Sequence, residues 1–267
     1  MEREKPLGIF DSGIGGLTVV KRIISILPLE NLVYFGDTAH LPYGDKSEEL
    51  IKSYSRRITE FLLDHNAKVV LIACNSASAS AFDTLNQEFG NRTILINVID
   101  PVIEYLATRN FGKIGVIGTK RTISSGTYEN KLRERSPSTF VISLATPLLV
   151  PMIEEGFIFD DISNAIIRAY LSDKSLVGIQ SLILGCTHYP IIKNQISKIF
   201  DFNIEVIDSA KLVSVFLKDI LQKNDLLNNS GKVNDQFYVS DYTHFFEKIA
   251  RMFFELEINL QKADIWS

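Results

Sequence analysis

The chain has 267 residues, enough for one large domain or two of ordinary size. Hydrophobic residues make up 46% and charged residues 22%, the mix of a globular protein with a sizeable core. The net charge is −4 and no basic stripe stands out, which argues against nucleic acid as a partner; no apolar run reaches the roughly 20 residues that cross a bilayer.

The N-terminus, "MEREKPLGIFDSG", enters a strand-like segment almost at once. "LGIF" is too short for a signal-peptide core and is followed by Asp11, so a cytoplasmic location is expected. Next come "NLVYFGD", then "SEELIKSYSRRITEFLLDHN", in which Leu50, Ile51, Tyr54, Ile58, Phe61 and Leu62 recur at three- and four-residue steps. That spacing predicts a helix with one apolar face. Further strands are predicted at "KVVLIAC", "TILINVID", "KIGVIGT", "TFVISLAT", "SLILGC", "IEVIDS" and "QFYVSD". Most are apolar without alternation, as strands buried on both faces of a parallel sheet are. Strands alternating with helix-length segments predict an α/β protein with mostly parallel sheets.

The order of the pieces suggests an internal duplication. "PLGIFDSG" has a counterpart in "GKIGVIGTK", and "VVLIACNSA" in "SLILGCTHY", at similar separations. Two similar lobes follow from this, with a ligand cleft between them. The crossover near Pro101 and the return near "EVIDSAKLV" predict a first lobe of residues 1–97 plus 209–267 and a second of 98–208.

Several strands end in polar residues: Asp11 and Ser12; Asp37 and Thr38; Cys74, Asn75 and Ser76; Thr119; Cys186, Thr187 and His188. Ligands of open α/β sheets bind beyond the carboxyl ends of the strands, so these residues are candidates for lining a site. Cys74 and Cys186 are the only cysteines, and both stand where a strand ends and a helix is expected. Taken alone, either is readily a small buried hydrophobe. A helix N-terminus, however, favours the thiolate. The four histidines are unpaired and the cysteines far apart in sequence, which speaks against a structural zinc site. "DSGIGGLT" fits neither dinucleotide nor P-loop patterns; its glycines suit a tight turn against a ligand.

Two thiols facing one cleft from related lobes point to two-base inversion of a stereocentre. One sulfur removes a proton from one face of a carbon and the other returns one to the opposite face. Asp11 is placed to assist one thiol and His188 the other. A non-catalytic amino-acid-binding module and a thiol redox sensor are the readings from other classes.

"GIFDSGIGGLTV", "YFGDTAHLPYGDKS", "ACNSASA" and "LGCTHYP" together resemble the glutamate racemases of the aspartate/glutamate racemase superfamily. The resemblance implies cofactor-independent racemisation of glutamate, supplying D-glutamate for peptidoglycan. It implies that Cys74 takes the α-proton of D-glutamate and Cys186 that of L-glutamate, with Asp11 and His188 as auxiliary groups. Glu154 resembles the carboxylate that supports this histidine, with Glu155 as its neighbouring alternative. Ser12, Tyr43, Gly44, Asn75, Ser76, Thr119 and Thr187 would hold the substrate, together with Asp11 and His188. A homodimer is implied. Aspartate or a hydantoin is the nearest alternative substrate. Ser76 replaces the usual Thr after Cys-Asn, and Thr146 stands where a Cys-Pro pair is frequent. Two bland readings complete the pass: "FVISLATPLLVP" and "HFFEKIARMFFEL" as core or subunit contact, and "RTISSGTY" as a helix cap and first turn. Trp266 is given no role.

Overall fold

In the computed structural model, which describes residues 2–254 and 258–266, strands and helices alternate along the chain. The first sheet uses β1 (Leu7–Asp11), β2 (Leu32–Gly36), β3 (Val69–Ile72), β4 (Ile94–Asn97), β9 (Gln236–Val239) and β10 (Leu260–Lys262). The second uses β5 (Lys113–Gly118), β6 (Phe140–Ala145), β7 (Ser181–Gly185) and β8 (Glu205–Asp208). The helices are α1 (Leu17–Ile26), α2 (Glu48–Asp64), α3 (Asn75–Phe89), α4 (Asp100–Ala107), α5 (Lys120–Ser124), α6 (Thr127–Arg135), α7 (Leu149–Glu154), α8 (Asp161–Leu171), α9 (Lys193–Ile199), α10 (Ser209–Lys223) and α11 (His244–Phe254).

Every strand pairing among the described residues is parallel. The central strands β1, β2, β3 and β7 are buried at every position, as their unbroken apolar runs predict. The orders are β10-β9-β2-β1-β3-β4 and β6-β5-β7-β8. Within the first, β2-β1-β3-β4 repeats the order of the second, so the duplicated motifs occupy equivalent strands. Cys74 follows β3 and Cys186 follows β7; Ser12 follows β1 and Thr119 follows β5. Register aligns these ends, with Asp11 opposite Gly36 in one sheet and Gly118 opposite Gly185 in the other.

After the second sheet the chain returns to the first. Val213, Leu217 and Leu221 of α10 join the core built on Leu17, Val20 and Ile23 of α1. At the opposite end of the strands from Cys74, Lys68 and Glu30 form a buried ion pair (2.6 Å), each side chain 1% exposed. Lys68 Nζ also donates to the carbonyls of Arg3 and Leu226, and the Asn228 amide donates to Glu30. One buried pair therefore ties the N-terminal segment and the returning chain to the edge of β3.

Three expectations need correction. On α2, Leu50 is 45% exposed, and the inner face instead buries Ser55 and Thr59 beside Ile51, Ile58 and Leu62. Thr59 fits because its hydroxyl donates to the Ser55 carbonyl one turn back (2.7 Å). Strand β10 was not expected; "LQK" is an edge strand with a mostly exposed face and carries no apolar run. "FVISLATPLLVP" is core only at Thr146, Leu149 and Val150. Strand β6 is a half-buried edge with Phe140 exposed, and Leu148 is exposed as well. In "HFFEKIARMFFEL", Phe246 and Ile249 pack with Ile14 and Val239, and residues 255–257 lie outside the described residues.

Candidate active site

Cys74 is the N-cap of α3, and its extended backbone sets the sulfur beyond the end of β3. Its Sγ lies 3.7 Å from Ser12 Oγ, at the end of the neighbouring strand β1. Cys186 follows β7, but no α-helix starts there. A 3₁₀ turn runs over Tyr189–Ile192 with Pro190 in it, and α9 begins only at Lys193. The two thiols thus share a strand position and differ in the structure that follows. Cys186 Sγ lies 3.6 Å from His188 Nδ1, and His188 Nε2 lies 3.0 Å from Glu154 Oε1. Of the adjacent pair, Glu154 is the carboxylate that reaches the imidazole.

Both cysteines line one small cavity of about 20 Å³, together with Ser12, Tyr43, Gly44, Asn75, Ser76, Thr119, Thr187 and His188. Leu41, Pro42 and Val150 complete the lining. Asp11 is fully buried behind this lining rather than in it. It accepts from the Gly13 amide (2.9 Å) and from the Thr187 hydroxyl (3.1 Å), which joins the ends of β1 and β7. Glu154 likewise stands behind His188 and lines a separate cavity of about 210 Å³ with Ile14, Phe246 and Ile249.

Contacts between lobes close the cavity. Ser76 Oγ lies 2.9 Å from Thr119 Oγ1, which also caps α5 through the Thr122 amide. Thr18 donates to the Thr187 carbonyl, and Tyr128 donates to Asn75 Oδ1 (2.7 Å). The Tyr43 hydroxyl is already committed, donating to Asp37 Oδ2 (2.7 Å). At two glycines a side chain has no room. A Cβ at Gly15 would sit 2.5 Å from His188 Nδ1, and one at Gly44 would sit 2.6 Å from Thr119 Cβ. The first-lobe loops therefore approach second-lobe residues closely only because these positions lack a side chain.

Burial pushes the Cys74 thiol up to about 12, the nearby Asp11 carboxylate adds to this, and the Ala77 amide and Ser12 hydroxyl oppose it. Cys74 is therefore protonated at neutral pH, contrary to the thiolate expected from a helix N-terminus alone. Burial also raises Asp11, against the pull of His188 and of the Gly13 and Gly16 amides. For His188, burial works downward, but contacts with Cys186 and Glu154 outweigh it and hold the imidazole well above its ordinary value. One thiol thus stands beside a carboxylate that keeps its proton on, the other beside a protonated imidazole. Among the described residues no group of three or more His, Cys, Asp or Glu side chains is disposed to hold a metal ion.

The sequence matches the Asp/Glu/Hydantoin racemase family over residues 17–215. The chain belongs to that family. The glutamate racemase of Chlorobaculum parvum is 43% identical over 95% of this chain and 93% of its own. The structure of the glutamate racemase of Francisella tularensis in complex with D-glutamate superposes with a TM-score of 0.93, at 39% identity over 99% of both chains. An isoform from Bacillus anthracis gives 0.92 at 33% identity, over 98% of both chains.

In this racemase-family fold, Asp37 is one of the strand-end candidates that the sequence marks, whereas Trp266 and Tyr128 are residues near the site that sequence reasoning missed. Asp37 is fully buried and accepts from Tyr43 and from Ser240 (2.7 Å), with His40 Nδ1 2.9 Å away, so it fixes the loop that carries Tyr43 and Gly44. Its signal was present in "YFGDTAHLPYGDKS". Trp266 stands edge-on to His40 and Tyr54, bracing the same loop from the chain's far end. Tyr128 lies inside a second-lobe helix, and nothing in its neighbourhood marks it as a partner of Asn75.

Proposed function

We propose that the protein interconverts L- and D-glutamate without a cofactor, using Cys74 and Cys186 as the two acid/base groups. The observation that carries this reading is the pair of buried thiols lining one cavity with opposite electrostatic companions. In the L-to-D direction Cys186 acts as the base. Its sulfur takes the α-proton, and the positive imidazole, held by Glu154, stabilises the sulfur's negative charge. The electron pair left on the α-carbon then takes the proton of the Cys74 thiol on the opposite face. D-to-L racemisation uses the reverse assignment, with Asp11 beside Cys74. Each direction of the reaction requires one sulfur to carry its proton while the other is free to take one.

The substrate's carboxylates meet small hydroxyls, amides and the N-termini of α3 and α5, groups suited to anions. Ser12, Asn75, Ser76, Thr119 and Thr187 supply the side chains, and the Tyr43–Gly44 segment offers its backbone. The kinship with glutamate racemases supports glutamate as the substrate and peptidoglycan synthesis as the destination of the D-isomer. The same reading assigns residues 1–97 plus 209–267 to one lobe and 98–208 to the other, supported by the sheet to which each strand belongs. A homodimer is part of it, testable by sedimentation.

The test is proton NMR of L-glutamate in D₂O with chelator-treated, reduced protein, beside optical rotation. Loss of the Cα–H signal while rotation decays to zero is expected. Cys74→Ser and Cys186→Ser should each slow racemisation at least about 10²-fold with the circular dichroism spectrum unchanged. A persistent Cα–H signal with glutamate and its loss with aspartate would transfer the mechanism to the shorter substrate. Full activity in either serine variant would remove the two-thiol assignment.

A further inference from the structure

Four buried side-chain polar atoms among the described residues have no hydrogen-bond partner: Ser55 Oγ, Asn75 Nδ2, Gln195 Oε1 and Trp266 Nε1. Of these, Asn75 Nδ2 belongs to a residue that lines the cavity between the thiols. An unpaired buried amide donor is costly, and a site that keeps one holds it ready for an acceptor. The other end of this amide is held: Tyr128 donates its hydroxyl proton to Asn75 Oδ1 at 2.7 Å. Tyr128 lies on α6 in the second sheet's layer, is 2% exposed, and packs with Ile114, Val116 and Leu132. Asn75 is the first residue of α3, which follows a strand of the first sheet. The bond therefore spans the two lobes.

The orientation of the amide follows from this bond. With Oδ1 toward Tyr128, both the phenolic proton and the carbonyl oxygen are satisfied and one amine is left over. Rotating the amide by half a turn would strand the phenolic proton and the carbonyl oxygen together. We propose that Tyr128 is a positioning residue that sets the Asn75 amide so that its nitrogen, and not its oxygen, is offered to a carboxylate of the substrate. This deepens the reading of glutamate as substrate and rests on it. Without the phenol nothing fixes the amide, and its oxygen can face the anion in place of its nitrogen, so the bond to the carboxylate is lost. Because the phenol arrives from the second lobe, the donor is set only when the lobes are together.

The experiment is a double-mutant cycle with Tyr128→Phe, Asn75→Ala and the double variant, read as KM and kcat for glutamate. Tyr128→Phe should raise KM about tenfold, the scale of one hydrogen bond to a charged group, with kcat changed less than about threefold. In the Asn75→Ala background it should raise KM no further. A merely structural role would lower the melting temperature and leave KM where it was. An unchanged KM, or effects that multiply independently, overturns the inference while leaving an active wild type and its substrate intact. A wild type inactive on glutamate removes the substrate reading itself. Should the phenylalanine variant not fold, a crystal structure of the wild type with glutamate decides. Asn75 Nδ2 within about 3.2 Å of a carboxylate oxygen, with Oδ1 still on Tyr128, supports the assignment; the reverse orientation, or no contact, overturns it.

Discussion

At the scale of single residues, His188 shows how the site holds a positive charge beside one of its thiols. Its imidazole is raised because Cys186 and Glu154 reward the positive form more than burial penalises it. Folded protein therefore holds a proton on His188 that the unfolded chain releases above roughly pH 6.5. The stabilisation this gives is complete below that pH and fades as pH rises through the folded value. Replacing His188 by Asn should flatten this part of the stability profile, followed as denaturation midpoints from pH 6 upward. The same change should slow L-to-D turnover by about 10²–10⁴-fold, since the sulfur proposed as the base would lose the charge that supports it. The ratio of kcat/KM in the two directions must stay fixed by the equilibrium constant, so any shift in that ratio would betray the assay.

At the scale of elements, the decisive contact is between the β1–α1 loop and the loop after β7. Gly15→Ala would place a methyl 2.4 Å from Thr187 Oγ1 and 2.5 Å from His188 Nδ1. The expected result is a fall in kcat of more than about tenfold with secondary structure intact, because the imidazole must leave Cys186 before the backbone yields. Steady-state kinetics beside circular dichroism would check this, and an unimpaired alanine variant would show that the loops can separate freely. Much of this arrangement was legible in the sequence, for a physical reason. Parallel strands buried on both faces must be apolar throughout, so the polar residues that end them stand out, and Cys74, Cys186, Thr119 and Ser12 all do. What stayed hidden depends on contacts between distant segments. Strand β10 is a short edge with little apolar area, Tyr128 sits near the start of a strongly polar helix that buries only itself and Leu132, and Leu50 follows the apolar period but falls at its outer margin. The acidity of Cys74 was misjudged because a helix N-terminus is visible in sequence, whereas burial beside Asp11 is not.

At the scale of the molecule, the Lys68–Glu30 pair holds together parts of the chain far apart in sequence. It lies away from the cavity, under the strands, and both side chains are 1% exposed. Lys68→Met would leave the Glu30 carboxylate buried with the Asn228 amide as a remaining partner. Removing one member of such a pair costs about 3–5 kcal/mol, so urea or thermal denaturation should show a large loss. Lys68→Met with Glu30→Leu should recover much of it, because two apolar side chains need no counter-charge. Turnover per folded molecule should change little in the double variant. A loss of less than about 1 kcal/mol in the single variant would mean that water reaches the pair.

The small cavity would also give this molecule a memory if the two sulfurs work as proposed. Cys74 and Cys186 are 5% and 6% exposed, and the space between them is about 20 Å³, room for hardly more than one water. On the proposed mechanism, a hydrogen lifted from one enantiomer by Cys186 would stay on that sulfur after the product has left, while Cys74 would have given its own away. The free protein that results would be made for the other hand of the substrate. It would return to its starting form only by passing a hydrogen between the sulfurs or trading one with the solvent. At high substrate concentration that resetting step, rather than the breaking of the carbon–hydrogen bond, would govern how fast the next molecule of the same hand can be turned over.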